Sequence, residues 1–289
     1  MNVVEQTLRP LFRFIAAERP RSSGGDGRSN GGYQRLMPAT PAWPPSSLPR
    51  LFVREALSNG AHLTLEGGPA NYLGNVLRLG TGAQVKLFDD VSGEWLAEIS
   101  EVGKKRVTLR VTQHLRERES VPDLWLVFAP IKKGRIDWVV EKTTELGAAR
   151  LLPVITQRTI VDKLNLERLR AHAVEAAEQC ERTALPALEE PVKLAALLRE
   201  WPAERTLFFA DENGGEPLAA AAAGAKGPAA ILIGPEGGFT PDEAAAIRAL
   251  PQARAVSLGP RIVRAETAAV AALSVWMAAA GDWGGTVAR

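Results

Sequence analysis

Four polar side chains, Glu236, Arg264, Glu266 and Thr267, cluster around two glycine-rich elbows of this chain. The elbows are I-L-I-G-P-E-G-G at Ile231–Gly238 and L-G-P-R-I-V-R-A-E-T-A at Leu258–Ala268. Gly234, Gly237, Gly238 and Gly259 let the main chain turn sharply, or approach a bound molecule with no Cβ in the way. A pocket walled by backbone suits a ligand read through main-chain amides and carbonyls, such as an adenine ring. Other chemistries are missing their parts. The elbows have neither the lysine of a G-x-x-x-x-G-K-[ST] phosphate loop nor the G-x-G-x-x-G spacing of a dinucleotide fold. There is no G-x-S-x-G elbow and no histidine near a serine to build a hydrolytic triad. His62, His114 and His172 lack metal-ligand spacing, and the single cysteine, Cys180, can form neither an intramolecular disulfide nor a zinc cluster. No metal is expected.

The elements that position these residues follow from the surrounding pattern. Each elbow ends a short apolar run, and such runs bounded by Gly and Pro are buried strands. From Asp123 onward strands and helices alternate. L-W-L-V-F-A-P is a strand, Ile136–Gly147 carries a helix with Ile136, Val139, Val140 and Thr143 on one face, and R-L-L-P-V-I is a strand. Asn165 caps a helix facing inward through Leu166, Leu169, Ala173, Val174 and Ala177, and a further helix lies around Leu194–Trp201. The strands T-L-F-F-A-D, I-L-I-G and A-V-S-L-G follow, with a capping box of Thr240 and Glu243 between the last two. Alternation of this kind predicts an α/β fold with a parallel sheet covered on both faces. In such sheets ligands bind beyond the carboxyl ends of the strands, where the elbows lie.

Pro49 to about Leu115 has a different rhythm. Short strands at Leu51–Val53, Ala61–Leu65, Val85–Phe88, Glu94–Ile99 and Arg106–Val111 are separated by turn residues, with Tyr72, Leu73, Val76 and Leu77 at helical spacing. This predicts a small β-barrel. The run Lys104-Lys105-Arg106 is either a phosphate contact or a solvated loop. Residues 1–47 are Gly/Ser- and Pro-rich, with Leu8, Leu11, Phe12 and Ile15 at helical spacing, and read as a dispensable tail rather than a targeting segment. They hold six basic residues against three acidic ones, so the net charge of +2 leaves the body almost neutral. Any RNA contact must therefore come from local patches. No apolar run approaches the roughly 20 residues of a membrane span, and a cytoplasmic setting is expected.

The motifs L-I-G-P-E-G-G-F-T-P-D-E and L-G-P-R-I-V-R-A-E-T-A resemble those of the SPOUT methyltransferases. Within that group the chain resembles the ribosomal RNA small subunit methyltransferase E family, which methylates N3 of a uridine in 16S rRNA. Pro49–Val53, Tyr72–Leu79, Glu141–Gly147 and Glu178–Thr183 support the likeness, which spans about 48–283. It departs from the family at Asn71, often histidine there, at Glu181, often glycine, and in the turn Asp89-Asp90-Val91. The resemblance implies a tail over 1–47, a PUA-like RNA-binding β-barrel over 48–118, and a SPOUT methyltransferase domain with a C-terminal trefoil knot over 119–285. It also implies a homodimer acting on 16S rRNA in the small ribosomal subunit.

S-adenosylmethionine is the implied cofactor. Its implied pocket is formed by Leu207, Phe209, Ile233, Gly234, Pro235, Glu236, Gly237, Gly238, Leu258, Gly259, Ile262, Val263 and Thr267. Arg264 is the implied anion stabiliser. Glu266 either orients Arg264, accepts the N3 proton or caps the last helix. Arg50, Arg54, Arg78, Lys142 and Arg182 are candidate RNA contacts, with a solvated surface as the competing account. A SPOUT enzyme acting on another RNA, and a non-catalytic RNA-binding protein of this fold, remain alternatives.

Overall fold

Period-2 burial builds the first sheet. In the computed structural model, which describes residues 48–161, 163–225 and 227–285, its strands are β1 (Arg50–Phe52), β2 (His62–Glu66), β3 (Gln84–Asp89), β4 (Gly93–Val102) and β5 (Arg106–Arg116). Residues 1–47 lie outside the described residues. Val85 and Leu87 of β3 and Val107, Leu109 and Val111 of β5 point inward and are buried, as alternation along a strand requires. The strands order β1-β3-β4-β5-β2, with β1 parallel to β3 and the other pairs antiparallel. Among the described residues the ladder stays open between β1 and β2. The expected helix at Tyr72–Leu77 starts earlier, as α1 (Gly67–Asn71), and continues as a π-helical turn over Tyr72–Val76. The wider turn breaks the apolar stripe that 3.6 residues per turn would give. Leu73 is buried, whereas Tyr72 and Val76 are 39% and 62% exposed.

The second sheet is parallel throughout. Its strands are β6 (Leu124–Phe128), β7 (Arg150–Ile155), β8 (Ala187–Leu188), β9 (Val192–Lys193), β10 (Thr206–Ala210), β11 (Glu216–Pro217), β12 (Ala229–Ile233) and β13 (Ala253–Ser257). They order β11-β13-β10-β12-β6-β7-β8, with β9 also paired to β7. Helices α2 (Arg135–Glu145), α3 (Leu166–Gln179), α5 (Leu218–Ala222) and α7 (Ala265–Ala279) share one apolar core with the sheet. Helices α4 (Leu194–Arg199) and α6 (Pro241–Arg248) share a second core, built on Val127, Leu207, Phe209 and Leu232. Cover on both faces explains the unbroken apolar run of β12, buried at every position. The caps fall where the sequence places them. Gly147 at φ +96° ends α2, Asn165 accepts from Arg168 N at 2.9 Å, and Thr240 and Glu243 cap α6 reciprocally.

A polar seam joins the first sheet to the loop after α3. The Arg50 guanidinium pairs with Glu94 and donates to Ala177 O at 2.6 Å and to Arg182 O. Arg116 Nε reaches the other Glu94 oxygen at 3.1 Å. Arg182 donates to Glu119 Oε1 at 3.2 Å and to Thr144 O. Both Arg50 and Arg182 are more than nine-tenths buried, which corrects the expectation that they contact RNA. Burial pushes the Glu94 carboxyl up, but hydrogen bonds from Arg116 and Arg50 outweigh it and hold the group below the usual carboxylate range. Desolvation lowers Arg50 despite its partner. Burial raises Glu178, which accepts from Phe52 N at 2.9 Å across the same seam.

Candidate functional site

β10 lies between β13 and β12, and the loops leaving these three neighbours converge beyond their carboxyl ends. They enclose a cavity of about 470 Å³, within the range of small-molecule and cofactor sites. The loop after β10 contributes Asp211, Glu212 and Asn213, and the loop after β12 contributes Gly234, Pro235, Glu236, Gly238 and Phe239. The loop after β13 supplies Leu258 to Arg264, and α7 opens against the cavity with Ala265 and Ala268.

Two glycines are required by this geometry. A Cβ at Gly234 would lie 2.8 Å from the Phe239 ring, and one at Gly238, whose φ is +68°, would lie 2.7 Å from Glu212 Oε1. Either side chain would push into the cavity wall. Phe239 is held edge-on to Phe209, with ring centroids 5.3 Å apart. Arg158 fastens the first elbow from outside, donating to Gly237 O at 2.6 Å and to Phe239 O at 3.2 Å.

Of the residues expected at the pocket, Phe209, Ile233, Gly234, Pro235, Glu236, Gly238, Leu258, Gly259, Ile262 and Val263 line it, as does Arg264. Leu207, Gly237 and Thr267 do not. Leu207 shares a face with Phe209, but at a rise of about 3.3 Å per residue it sits about 7 Å deeper in the sheet, sealed in the core. The Gly237 carbonyl is turned to Arg158. Thr267 lies about 200° around the helix from Ala265 and is exposed.

Arg264 is exposed at the rim and makes no ion pair or side-chain hydrogen bond among the described residues. The Glu266 carboxylate does not pair with it. One oxygen is 3.6 Å from Arg135 Nε on α2, and the other is buried without a partner. The sequence expectation for this strand named Leu207 and Phe209 and missed Asp211, Glu212 and Asn213. An apolar strand ending in the acidic turn A-D-E-N-G-G was the available signal. Asp211 is braced by Arg248 and by Asn213 N at 2.9 Å, which leaves Glu212 as the free carboxylate of that loop among the described residues.

A second cavity, of about 280 Å³, lies on the first sheet between α1 and the β4–β5 turn. It is lined by Asn71, Gly74, Asn75 and Val102 and by Lys104, Lys105 and Arg106. Arg54 and Arg78 are exposed on that sheet, Arg78 at φ +55°. Lys142 is less suited to phosphate than expected, because its ammonium bonds Glu141 at 2.7 Å and Glu145 at 2.8 Å, which raises its pKa.

The chain matches the model of an RNA methyltransferase domain over residues 117–277 and that of an RNA methyltransferase PUA domain over 65–112. It is 30% identical to ribosomal RNA small subunit methyltransferase E of Rickettsia conorii, an alignment covering 78% of this chain and 93% of that protein. The Bacillus subtilis protein of that name is 28% identical over 76% of this chain and 91% of its own length. Among solved structures, the Neisseria gonorrhoeae protein of that name bound to S-adenosyl methionine superposes with a TM-score of 0.75 at 27% identity, covering 82% of this chain and 99% of that one. A Legionella pneumophila methyltransferase in complex with the same cofactor gives 0.72 at 33% identity, covering 81% and 99%.

Proposed function

The chain belongs to the ribosomal RNA small subunit methyltransferase E family, and from that premise we propose that it methylates N3 of a uridine in 16S rRNA. It is an S-adenosylmethionine-dependent RNA methyltransferase with an N-terminal PUA-like domain. The observation that carries the reading is the three-loop cavity behind β10, β12 and β13.

The cavity's own features suit the cofactor. Glycines stand where a Cβ would fill the wall. Phe209, Ile233, Leu258 and Val263 offer an apolar bed for an adenine. Glu212 and Glu236 supply negative charge for a cationic donor. S-adenosylmethionine supplies an electrophilic methyl on its sulfonium, so the protein's task is alignment more than bond polarisation.

Uracil N3 carries a proton at neutral pH and must lose it on attack. Arg264, at the rim and unpaired, stabilises the imide anion that develops. Glu266 does not reach the cavity and acts through the residues around it. The uridine is displaced from its stack to reach the donor. The surface around Lys104, Lys105, Arg54 and Arg78 holds the RNA, and residues 48–118 and 119–285 divide the labour as PUA-like and methyltransferase domain.

Two further features belong to this reading. β12 enters the sheet between the earlier strands β6 and β10, and the chain returns through the β13 loop to α7, a path consistent with a trefoil knot. The protein works as a homodimer in the cytoplasm. Ile262, 90% exposed on the pocket loop, and Trp138, 41% exposed on α2, supply apolar surface for a second copy.

Calorimetric titration with S-adenosylmethionine tests the pocket. The wild type takes up one donor per chain, and Gly234→Ala weakens binding, because the new Cβ would lie 2.8 Å from the Phe239 ring, which packs edge-on against Phe209. No uptake by folded wild-type protein would leave a pure RNA binder. Unchanged affinity in the variant would move the donor elsewhere.

A further inference from the structure

Besides Arg261 and Arg264, a second group of cations stands at the carboxyl edge of the sheet. It lies on the turn from β6 to α2, I-K-K-G-R at Ile131–Arg135. β6 is the immediate neighbour of β12, so this turn emerges beside the Gly234–Phe239 elbow. Ala129 N donates to Ile233 O at 2.9 Å, tying the start of the turn to the cavity wall.

Paired lysines on a turn are ordinarily a solvated surface. Three features separate this turn from that case. Its backbone is fixed: Ile131 is only 2% exposed, Arg135 N donates to Lys132 O at 3.2 Å, and Gly134 N donates to Asp137 Oδ2 at 3.2 Å. Lys132 and Lys133 are exposed and form no ion pair among the described residues. The third feature is Glu266, whose side chain is 14% exposed. It directs one oxygen at Arg135 Nε from 3.6 Å and keeps the other buried without a partner.

The largely buried Glu266 carboxylate is committed to Arg135 on a different helix, so this Glu is not merely filling the first turn of α7. It sits two residues after Arg264 and next to Ala265, on the cavity wall. The ion pair therefore sets Arg135 relative to the methyl-transfer site.

We propose that Ile131–Arg135 is a phosphate-binding turn for the RNA substrate. Lys132 and Lys133 hold backbone phosphates beside the displaced uridine, and Glu266 is a positioning residue that presents Arg135 to a third. This rests on the RNA methyltransferase reading above. The ligand chemistry is the RNA backbone, because flexible ammonium groups around a fixed turn recognise phosphate charge without reading a base.

The test uses the full-length protein and a labelled fragment of 16S rRNA, titrated between about 50 and 200 mM salt. Each phosphate contact releases counterions, so Lys132→Ala/Lys133→Ala should lower the slope of log affinity against log salt by about 1.4. S-adenosylmethionine affinity, measured without RNA, should match the wild type. Arg135→Ala should raise KM for RNA several-fold. Glu266→Gln should do so as well, and adding it to Arg135→Ala should cost nothing further, since the two act as a unit.

A salt slope equal to wild type in the lysine double variant overturns the site. Additive losses in Glu266→Gln/Arg135→Ala overturn the positioning role. A wild-type protein that takes up donor but neither binds nor methylates the RNA fails the broader reading instead, so the two failures are distinct.

Discussion

A guanidinium that no carboxylate has claimed keeps its charge for a ligand, and Arg264 is in that position at the cavity rim. Replacing it with Ala removes the anion stabiliser, and single-turnover methyl transfer should fall about 100-fold with donor affinity intact. Near-normal transfer by folded Arg264→Ala protein would remove it from the chemistry. Arg50 is the opposite case, enclosed in the seam with Glu94. Glu94 and Asp89 both titrate below the usual carboxylate range. Each therefore contributes stability that is present above its unfolded pKa of about 4 and is lost as pH falls through its lower folded value. Glu178, raised by burial, has the reverse sign: its contribution is present at low pH and is lost as pH rises through its folded value. Glu94→Gln leaves Arg50 buried without its counter-charge and should cost about 3 kcal/mol at neutral pH. Urea unfolding at pH 7 and at about pH 3 should show a smaller difference between the two in the variant. An unchanged difference would remove Glu94 from the acid transition. These contrasts bound what sequence can disclose, because nothing in R-L-F at Arg50 distinguishes a seam arginine from one that faces RNA.

At the scale of elements, strands and caps were legible because their signals are local. The I-L-I run, Thr240 with Glu243, and Asn165 each do what their neighbours in sequence dictate. The pocket loops were legible as backbone for the same reason. Side-chain direction was not. Leu207 points into the core and Thr267 away from the cavity, because reach depends on depth in the sheet and angle around the helix. The π-helical turn at Tyr72–Val76 was equally hidden, since it changes the period that the apolar pattern is read with. One departure from the family gains a physical meaning. Glu181, expected from the sequence to depart from the family pattern, has φ +63°, a left-handed conformation that costs an ordinary residue about 1 kcal/mol or more. Its carbonyl accepts from Arg116, so the conformation is held by the seam. Glu181→Gly should stabilise the protein by about 1 kcal/mol, seen as a rise of roughly 2–4 °C in Tm. A fall in Tm would mean that the Glu side chain contributes more than the strain removes.

At the scale of the whole molecule, the Arg50–Glu94–Arg116 seam ties the first sheet to the 177–182 segment of the methyltransferase domain. The exposed cations Arg54, Arg78, Lys104 and Lys105 belong to the first sheet's domain, and the three-loop cavity belongs to the second sheet. The division into two sheets could be read from the change of rhythm near Asp123, but the seam could not, because it brings Arg50 and Phe52 to Ala177, Glu178 and Arg182, more than a hundred positions further along the chain. With the body of the chain nearly neutral, recognition rests on where the cations stand rather than how many there are. The most direct test is to incubate small ribosomal subunits from cells lacking this protein with the purified enzyme and labelled S-adenosylmethionine, then map the product by mass spectrometry. One methyl per subunit, on N3 of a single uridine of 16S rRNA, is the predicted result. Label on a ribose, on another base, or nowhere in the rRNA would contradict it.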